Sequence, residues 1–251
     1  MGIFEMRGNG PMIDLHCHIL PAVDDGADSL DTSCRMAALA ADCGVRRIVA
    51  TPHRGVDPAR EAGGAELLRS AVQRLQRELN RWNIPVELLP GSELLLRGGT
   101  PLPDPDSILT LNGSRYLLVE FFFDEAPAVM ERKLREVESA GMVPVVAHPE
   151  RYFCVQENPS LADLWAARGR VLQLNKGSLL GSLGEGAWLT SALLLRRELV
   201  SVIASDAHHF RHRTPDLRPL LETLDTRFPT ADPERLLTEN PRRILHDLPL
   251  R

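Results

Sequence analysis

Met12-Ile13-Asp14-Leu15-His16-Cys17-His18 is a short apolar run that ends in two histidines two residues apart. Side chains on a β-strand repeat with period two, so His16 and His18 point the same way. Two imidazoles converging from one strand end supply half of a metal site. The competing reading is one core histidine and one exposed histidine. Recurrence favours the metal. Further apolar runs end at His53, Glu93, Glu120, His148 and the pair Asp206/His208. Five of the eight histidines stand at such ends, where a chance scatter would place more of them on helices and loops.

Working outward, strands are expected over residues 12–15, 46–50, 85–89, 116–119, 143–147, 171–174 and 200–204. Helical spacing appears over 28–43, with Leu30, Met36, Leu39 and Ala40, and Gly44 follows as a stop. It appears again over 66–82, with Leu67, Leu68, Val72, Leu75 and Leu79 on one side. Residues 127–140, 161–167, 183–197 and the proline-broken stretch from 216 onward also read as helical. Asp24-Asp25-Gly26 is a turn, 55–64 a loop, and 98–106, with three prolines, an irregular connection. Short strands thus alternate with helices about seven times, the mark of an α/β fold with parallel strands. An irregular, TIM-like (β/α)7 barrel fits, as does an open doubly wound sheet. In a barrel, functional groups gather at the C-terminal ends of the strands.

The 251 residues, 43% hydrophobic, can bury a substantial core without staples. We expect one domain over 12–251 and a flexible extension or alternative start over 1–11, with no signal peptide. A net charge of -5 argues against general nucleic-acid binding. Four cysteines (Cys17, Cys34, Cys43, Cys154) form no CxxC pair or disulfide framework, which suits a reduced cytoplasm. No apolar run of about 20 residues exists to span a membrane.

The candidate ligands are His16, His18, His53, His148 and His208 with Asp25, Glu93, Glu120 and Asp206. This mixture suits Zn²⁺, Mn²⁺, Fe or Mg²⁺. Nine ligands exceed what one ion takes while also holding substrate, so two or three ions sharing carboxylates fit better. Three divalent ions against four carboxylates leave a site of about +2, which attracts an anion such as phosphate. Ions roughly 3.5–4 Å apart together activate a water and stabilise a leaving oxygen. Rival chemistries are missing. A cysteine phosphatase needs Arg six positions after its Cys, and those positions hold Val23, Ala40, Val49 and Ser160. Neither GxSxG nor a P-loop is present. Cys17 faces the opposite side of its strand and reads as a small buried residue. Asp14 shares the phase of the two histidines and is a candidate support for them.

With these residues assembled, the chain resembles the PHP (polymerase and histidinol phosphatase) superfamily. Within it, the chain resembles the manganese-dependent bacterial tyrosine-protein phosphatases of capsule and exopolysaccharide operons, the CpsB/CapC/YwqE type. The resemblance runs through residues 12–18, Val23-Asp24-Asp25-Gly26-Ala27, Ile48 to Arg54 and Gly91-Ser92-Glu93. It continues through residues 116–121, Val146-Ala147-His148-Pro149-Glu150-Arg151-Tyr152, Ala204-Ser205-Asp206-Ala207-His208 and Asn240-Pro241. It implies a PHP-type barrel and a trinuclear Mn²⁺ centre. His16, His18, Glu93 and Asp206 would hold one ion. Glu93 would bridge to a second held by Glu120 and His148, and Asp25, His53 and His208 would hold the third. The family pattern selects Asp25 over Asp24, which the sequence alone leaves open. Arg151 and Arg213 match phosphate-contacting arginines, against the alternative of surface charge. His209 and His212 are expected at the surface or beside the ligands, and His246 in a structural role. The implied substrate is the phosphotyrosine tail of a bacterial polysaccharide-assembly tyrosine kinase, and an oligomer is compatible. The alternatives are a small-molecule PHP phosphatase, such as one acting on histidinol phosphate, and a non-catalytic binder of the kinase tail.

Overall fold

A computed structural model describes residues 10–55, 64–104 and 107–250. Most of the expected N-terminal extension (1–9) and of the 55–64 loop (56–63) lies outside the described residues. The strands are β1 (Met12–Cys17), β2 (Val45–Ala50), β3 (His53–Arg54), β4 (Glu87–Pro90), β5 (Glu93–Leu95), β6 (Tyr116–Glu120), β7 (Val143–Ala147), β8 (Val171–Asn175) and β9 (Val202–Ala204). The helices are α1 (Leu30–Asp42), α2 (Gly64–Arg81), α3 (Pro127–Ser139), α4 (Phe153–Glu157), α5 (Ser160–Ala167), α6 (Lys176–Leu179), α7 (Glu185–Arg196), α8 (Arg218–Arg227) and α9 (Asn240–Leu245).

All the strand pairs are parallel. One sheet runs β1-β2-β4 and the other β3-β5-β6-β7-β8-β9. β2 and β3 are two halves of one strand broken at Thr51-Pro52, and β4 and β5 are halves broken at Gly91-Ser92. Pro52 has no N–H for a ladder. A Cβ on Gly91 would sit 2.6 Å from Val49 Cγ1, so only glycine fits that corner. Counted as whole strands, there are seven among the described residues. The ring closes where Cys17 bridges Ala207: the Asp206 N–H donates to His16 O at 2.8 Å and the His18 N–H to Ala207 O at 2.9 Å. The fold is therefore a parallel, seven-stranded barrel rather than an open sheet.

Two apolar clusters hold it. One contains Ile13, Leu15, Val49, Leu118, Val145, Val171 and Val202 from the strands, capped by Leu111, Ile244 and Leu245. The other lies between strands and helices and includes Met36, Leu75, Leu134, Trp165, Leu194 and Leu220. Strands buried on both faces read as near-continuous apolar runs, which is why they were visible in the sequence.

Several expectations need correction. His53 and Glu93 do not end the runs before them. They open β3 and β5 beyond the corners and pair with each other in register. Leu67 is exposed because the buried stripe of α2 follows Leu68, Val72, Leu75 and Leu79, about 100° away. Leu30 is exposed as the first residue of α1, ahead of the buried Met36, Ala37 and Ala40. His246 caps α9 at its C-terminal end and is exposed. The short helices α4 and α6 carry too few residues for a periodic signal.

Candidate metal centre

Strand ends, the starts of β3 and β5 and the turn at Asp25 bring all nine candidate ligands to one end of the barrel. His16 ends in a buried imidazole whose Nδ1 lies 2.9 Å from Gln173 Oε1. The Gln173 amide N–H donates to Leu174 O, so its oxygen faces the ring and His16 carries its hydrogen on Nδ1. His18 Nδ1 lies 2.7 Å from Asp24 Oδ2 and donates to it. The two Nε2 atoms are left as lone pairs, and they face each other at 3.1 Å. Glu93 Oε2 stands 3.2 and 3.3 Å from them, and Asp206 Oδ1 3.5 Å from both. Two imidazole lone pairs and two carboxylate oxygens aimed at one point repel one another unless a cation sits among them. A proton is one such cation. Burial opposes charge on both rings, yet the neighbouring carboxylates carry His16 and His18 above the ordinary imidazole range.

Three groups have ligand atoms within 4.8 Å of one another: His18, Asp25, His53 and His208; His16, His18 and Asp206; and His53, Glu93 and Glu120. His53 is shared. Its Nδ1 lies 2.9 Å from Glu120 Oε1 and 3.1 Å from Glu93 Oε2, while its Nε2 lies 3.4 Å from Asp25. Burial disfavours its charge, but Glu120 and Glu93 outweigh burial and push its pKa up to about 10. His148 reaches the set through Glu93, with Nε2 3.0 Å from Oε1. Asp25 is held below the usual carboxylate range chiefly by the His208 ring beside it, whose Nε2 lies 3.4 Å from its Oδ1. Asp206 and Glu93 are also held low, because the surrounding cations outweigh burial. Three buried ring nitrogens in this cluster, His53 Nδ1, His148 Nδ1 and His208 Nε2, have no hydrogen bond. Unsatisfied imidazole nitrogens among carboxylates fit a metal centre.

The backbone is bent to make this cluster. His148, Asp206 and Arg213 adopt φ of 36°, 49° and 46°, in the left-handed region that non-glycine residues avoid. A Cβ on Gly26 would lie 2.2 Å from His18 O, so glycine is what lets the turn bearing Asp24 and Asp25 close over His18.

Asp24 and Asp25 divide the work. Asp24 accepts from His18 Nδ1, from the Gly26 N–H and from the His53 N–H, so it orients two histidines. Asp25 faces the ring nitrogens of His53 and His208. Asp14 accepts from the Ser205 and His16 N–H groups and from the Ser205 hydroxyl, which braces the backbone on both sides of the barrel closure. Cys17 is fully buried and turned toward Ala207 O. His209 and His212 stack on each other outside the cluster.

Arg151 and Arg213 both reach Asp206, from the side away from the imidazoles. Arg151 also lies over the ring of Phe123, 4.3 Å from its centroid. The sequence reading held Asp24 only as an alternative to Asp25 and missed Gln173, Asn175 and Phe123 as parts of this site. Asn175 donates to the same Asp206 oxygen that the arginines reach. Gln173 and Asn175 carried a usable signal: two polar residues at period two in an otherwise apolar strand.

The family model for capsular polysaccharide synthesis, CpsB/CapC, matches residues 12–246. The tyrosine-protein phosphatase YwqE of Bacillus subtilis is 36% identical over 237 residues, covering 94% of this chain and 92% of that protein. The tyrosine-protein phosphatase CpsB of Streptococcus pneumoniae is 29% identical over 244 residues, covering 94% and 99%. The crystal structures of YwqE and CpsB, described as unique metal-dependent tyrosine phosphatases, include a chain that superposes with TM-score 0.84 at 34% identity, over 96% of each chain. The phosphotriesterase homology protein of Escherichia coli shares the fold at TM-score 0.59 and 13% identity, over 96% of this chain and all of that one.

Proposed function

The chain belongs to the CpsB/CapC family of capsular polysaccharide synthesis, and we propose that its nine convergent side chains hold two or three divalent ions, Mn²⁺ first among them, for the hydrolysis of phosphotyrosine. It is a metal-dependent tyrosine-protein phosphatase of the CpsB/YwqE type. The observation that carries the reading is the convergence of the His16 and His18 lone pairs on one point with Glu93 and Asp206. Imidazole-rich, carboxylate-bearing sites suit Mn²⁺, Fe or Zn²⁺ better than Mg²⁺.

Bound divalent ions supply an activated water and neutralise charge on a phosphoryl group. The remaining work belongs to the chain. Glu93, with Oε2 toward His16, His18 and His53 and Oε1 toward His148, would be a ligand common to more than one ion. Asp24 and Gln173 keep the hydrogens of His18 and His16 on Nδ1, so that both Nε2 atoms stay available. Arg151 and Arg213 offer planar guanidinium groups to phosphate oxygens, a geometry that lysine does not reproduce. Burial holds the Cys17 thiol well above its ordinary pKa, which leaves it protonated and without a nucleophilic role.

The substrate is the phosphotyrosine-bearing tail of a bacterial polysaccharide-assembly tyrosine kinase. Four free cysteines suit a cytoplasmic location for that encounter. Among the described residues no helix is long and apolar enough to cross a membrane. The test compares turnover of a phosphotyrosine peptide, a phosphoserine peptide and histidinol phosphate with added Mn²⁺. Preferred turnover of the first is the expected result. Preferred turnover of histidinol phosphate would assign a small-molecule substrate instead, and no turnover of any would leave a binding protein.

A further inference from the structure

Three of the chain's seven phenylalanines are exposed on the segments that follow β6 and β7, the strands that lead to Glu120 and His148. Phe122 and Phe123 come two and three residues after Glu120, and Phe153 comes two residues after Arg151. They are 49%, 38% and 53% exposed. Phe121, by contrast, is buried against Tyr152, which shows where an unremarkable phenyl of this loop goes. The Phe153 N–H donates to Phe123 O at 2.9 Å, so the two loops are joined. The Phe123 ring meets the His148 ring edge-on at 6.1 Å and carries the Arg151 guanidinium at 4.3 Å. Arg151 in turn lies 3.7 Å from Asp206 Oδ2. Phe123 is therefore one guanidinium away from the place where a phosphate oxygen would be gripped.

Given the phosphotyrosine phosphatase activity proposed above, we infer that Phe123, with Phe153 beside it, is the face that receives the aryl ring of the substrate and selects aryl over alkyl phosphates. In an aryl phosphate the ring begins one ester oxygen from phosphorus. A phosphoryl group held between the ligand cluster and Arg151 leaves its ring at the rim, beside an exposed phenyl. Aromatic pairs gain from edge-to-face and offset contact beyond the area they bury. An alkyl phosphate such as phosphoserine has one methylene at that position and presents no disc to the wall. The guanidinium serves both ends, since its planar face stacks on Phe123 while its N–H groups point at oxygen.

A propping role for Phe123 makes a different prediction. If the ring only steadied Arg151, its loss would weaken every phosphate ligand equally. The test is titration calorimetry of the full chain loaded with Mn²⁺, using phenylphosphonate, methylphosphonate and inorganic phosphate as probes, with phenyl phosphate kinetics alongside. Phe123→Ala is expected to weaken phenylphosphonate binding and to raise KM for phenyl phosphate by about five- to tenfold. Binding of inorganic phosphate and methylphosphonate should stay within about twofold, the scale of a few tenths of a kcal/mol. Phe123→Tyr should restore the aryl preference. Equal weakening of all three probes, or unchanged phenylphosphonate binding, overturns the inference. The phosphatase reading fails separately, if the wild-type protein with Mn²⁺ turns over no aryl phosphate, and phosphonate binding still decides the role of Phe123 in that event.

Discussion

Arg151 and Arg213 meet on a single oxygen, Oδ2 of Asp206, at 3.7 and 2.7 Å. The other oxygen of Asp206 faces His16, His18 and His208. One carboxylate thus stands between the imidazoles and an arginine fork. A phosphate oxygen has the charge and size to engage the same fork.

Removing either arginine should cost about 10²–10³ in turnover, the scale of one preorganised charge stabiliser. The two variants should differ in metal content. Arg151→Ala should keep its ions, because the longer contact leaves Asp206 in place. Arg213→Ala should bind them more weakly, because its hydrogen bond positions Asp206. Arg151→Lys should recover part of the loss. Steady-state kinetics on an aryl phosphate beside elemental analysis separates these outcomes, and wild-type kinetics in Arg151→Ala would show that it is surface charge.

Asp24→Asn and Gln173→Leu should each weaken metal binding about 10–100-fold without removing a ligand. Both changes release the Nδ1 hydrogen that keeps a histidine Nε2 available. Asp25→Asn should weaken metal binding further, since Asp25 itself faces His53 and His208. Competition of Mn²⁺ against a chelating dye measures all three.

Chelation should abolish activity, and Mn²⁺ should restore it better than Mg²⁺. Cys17→Ser should leave turnover little changed, because burial already keeps the thiol protonated. Loss of turnover in Cys17→Ser at unchanged metal content would revive a thiol mechanism.

Far from the site, Arg170 is buried between Glu131 and Glu138, with contacts of 2.6 Å to each. Burial raises the Glu131 pKa, but Arg170 and Arg135 outweigh it and hold the carboxyl down at about 2. Its folded pKa lies below its ordinary value of 4.5. The stabilisation is therefore complete above that value and is lost as pH falls toward about 2. Glu131→Gln should cost about 1–3 kcal/mol at neutral pH, at the low end because Glu138 remains. In urea melts the gap between variant and wild type should narrow on acidification, and a gap independent of pH would contradict the pairing.

Much of this was legible in the sequence because parallel strands buried on both faces announce themselves as apolar runs. The histidines and acids after those runs stood out against them. What stayed hidden depended on three-dimensional corners. The breaks at Thr51-Pro52 and Gly91-Ser92 carry His53 and Glu93 into a second sheet, and no local periodicity records a change of partner strand. Asp24 and Asp25 are indistinguishable as letters, and only the tight turn at Gly26 assigns one to His18 and the other to His53 and His208. Phe123 reads as the last of the apolar triplet Phe121-Phe122-Phe123, yet only Phe121 of that triplet is buried.

The barrel has two seams, and ligands sit on both. At one, residues 16–18 meet 206–207. At the other, the paired residues His53 and Glu93 begin the larger sheet, and the Glu93 N–H donates to Pro52 O. Ions shared among these residues would stitch the two sheets together as well as serve the reaction. Loading the site then becomes a contribution to folding free energy that grows with the logarithm of metal concentration. Amide hydrogen exchange at His18, Asp206 and Glu93 would slow as metal is added, with the helices far from the seams largely indifferent, so that opening of the barrel and loss of the ions are one event.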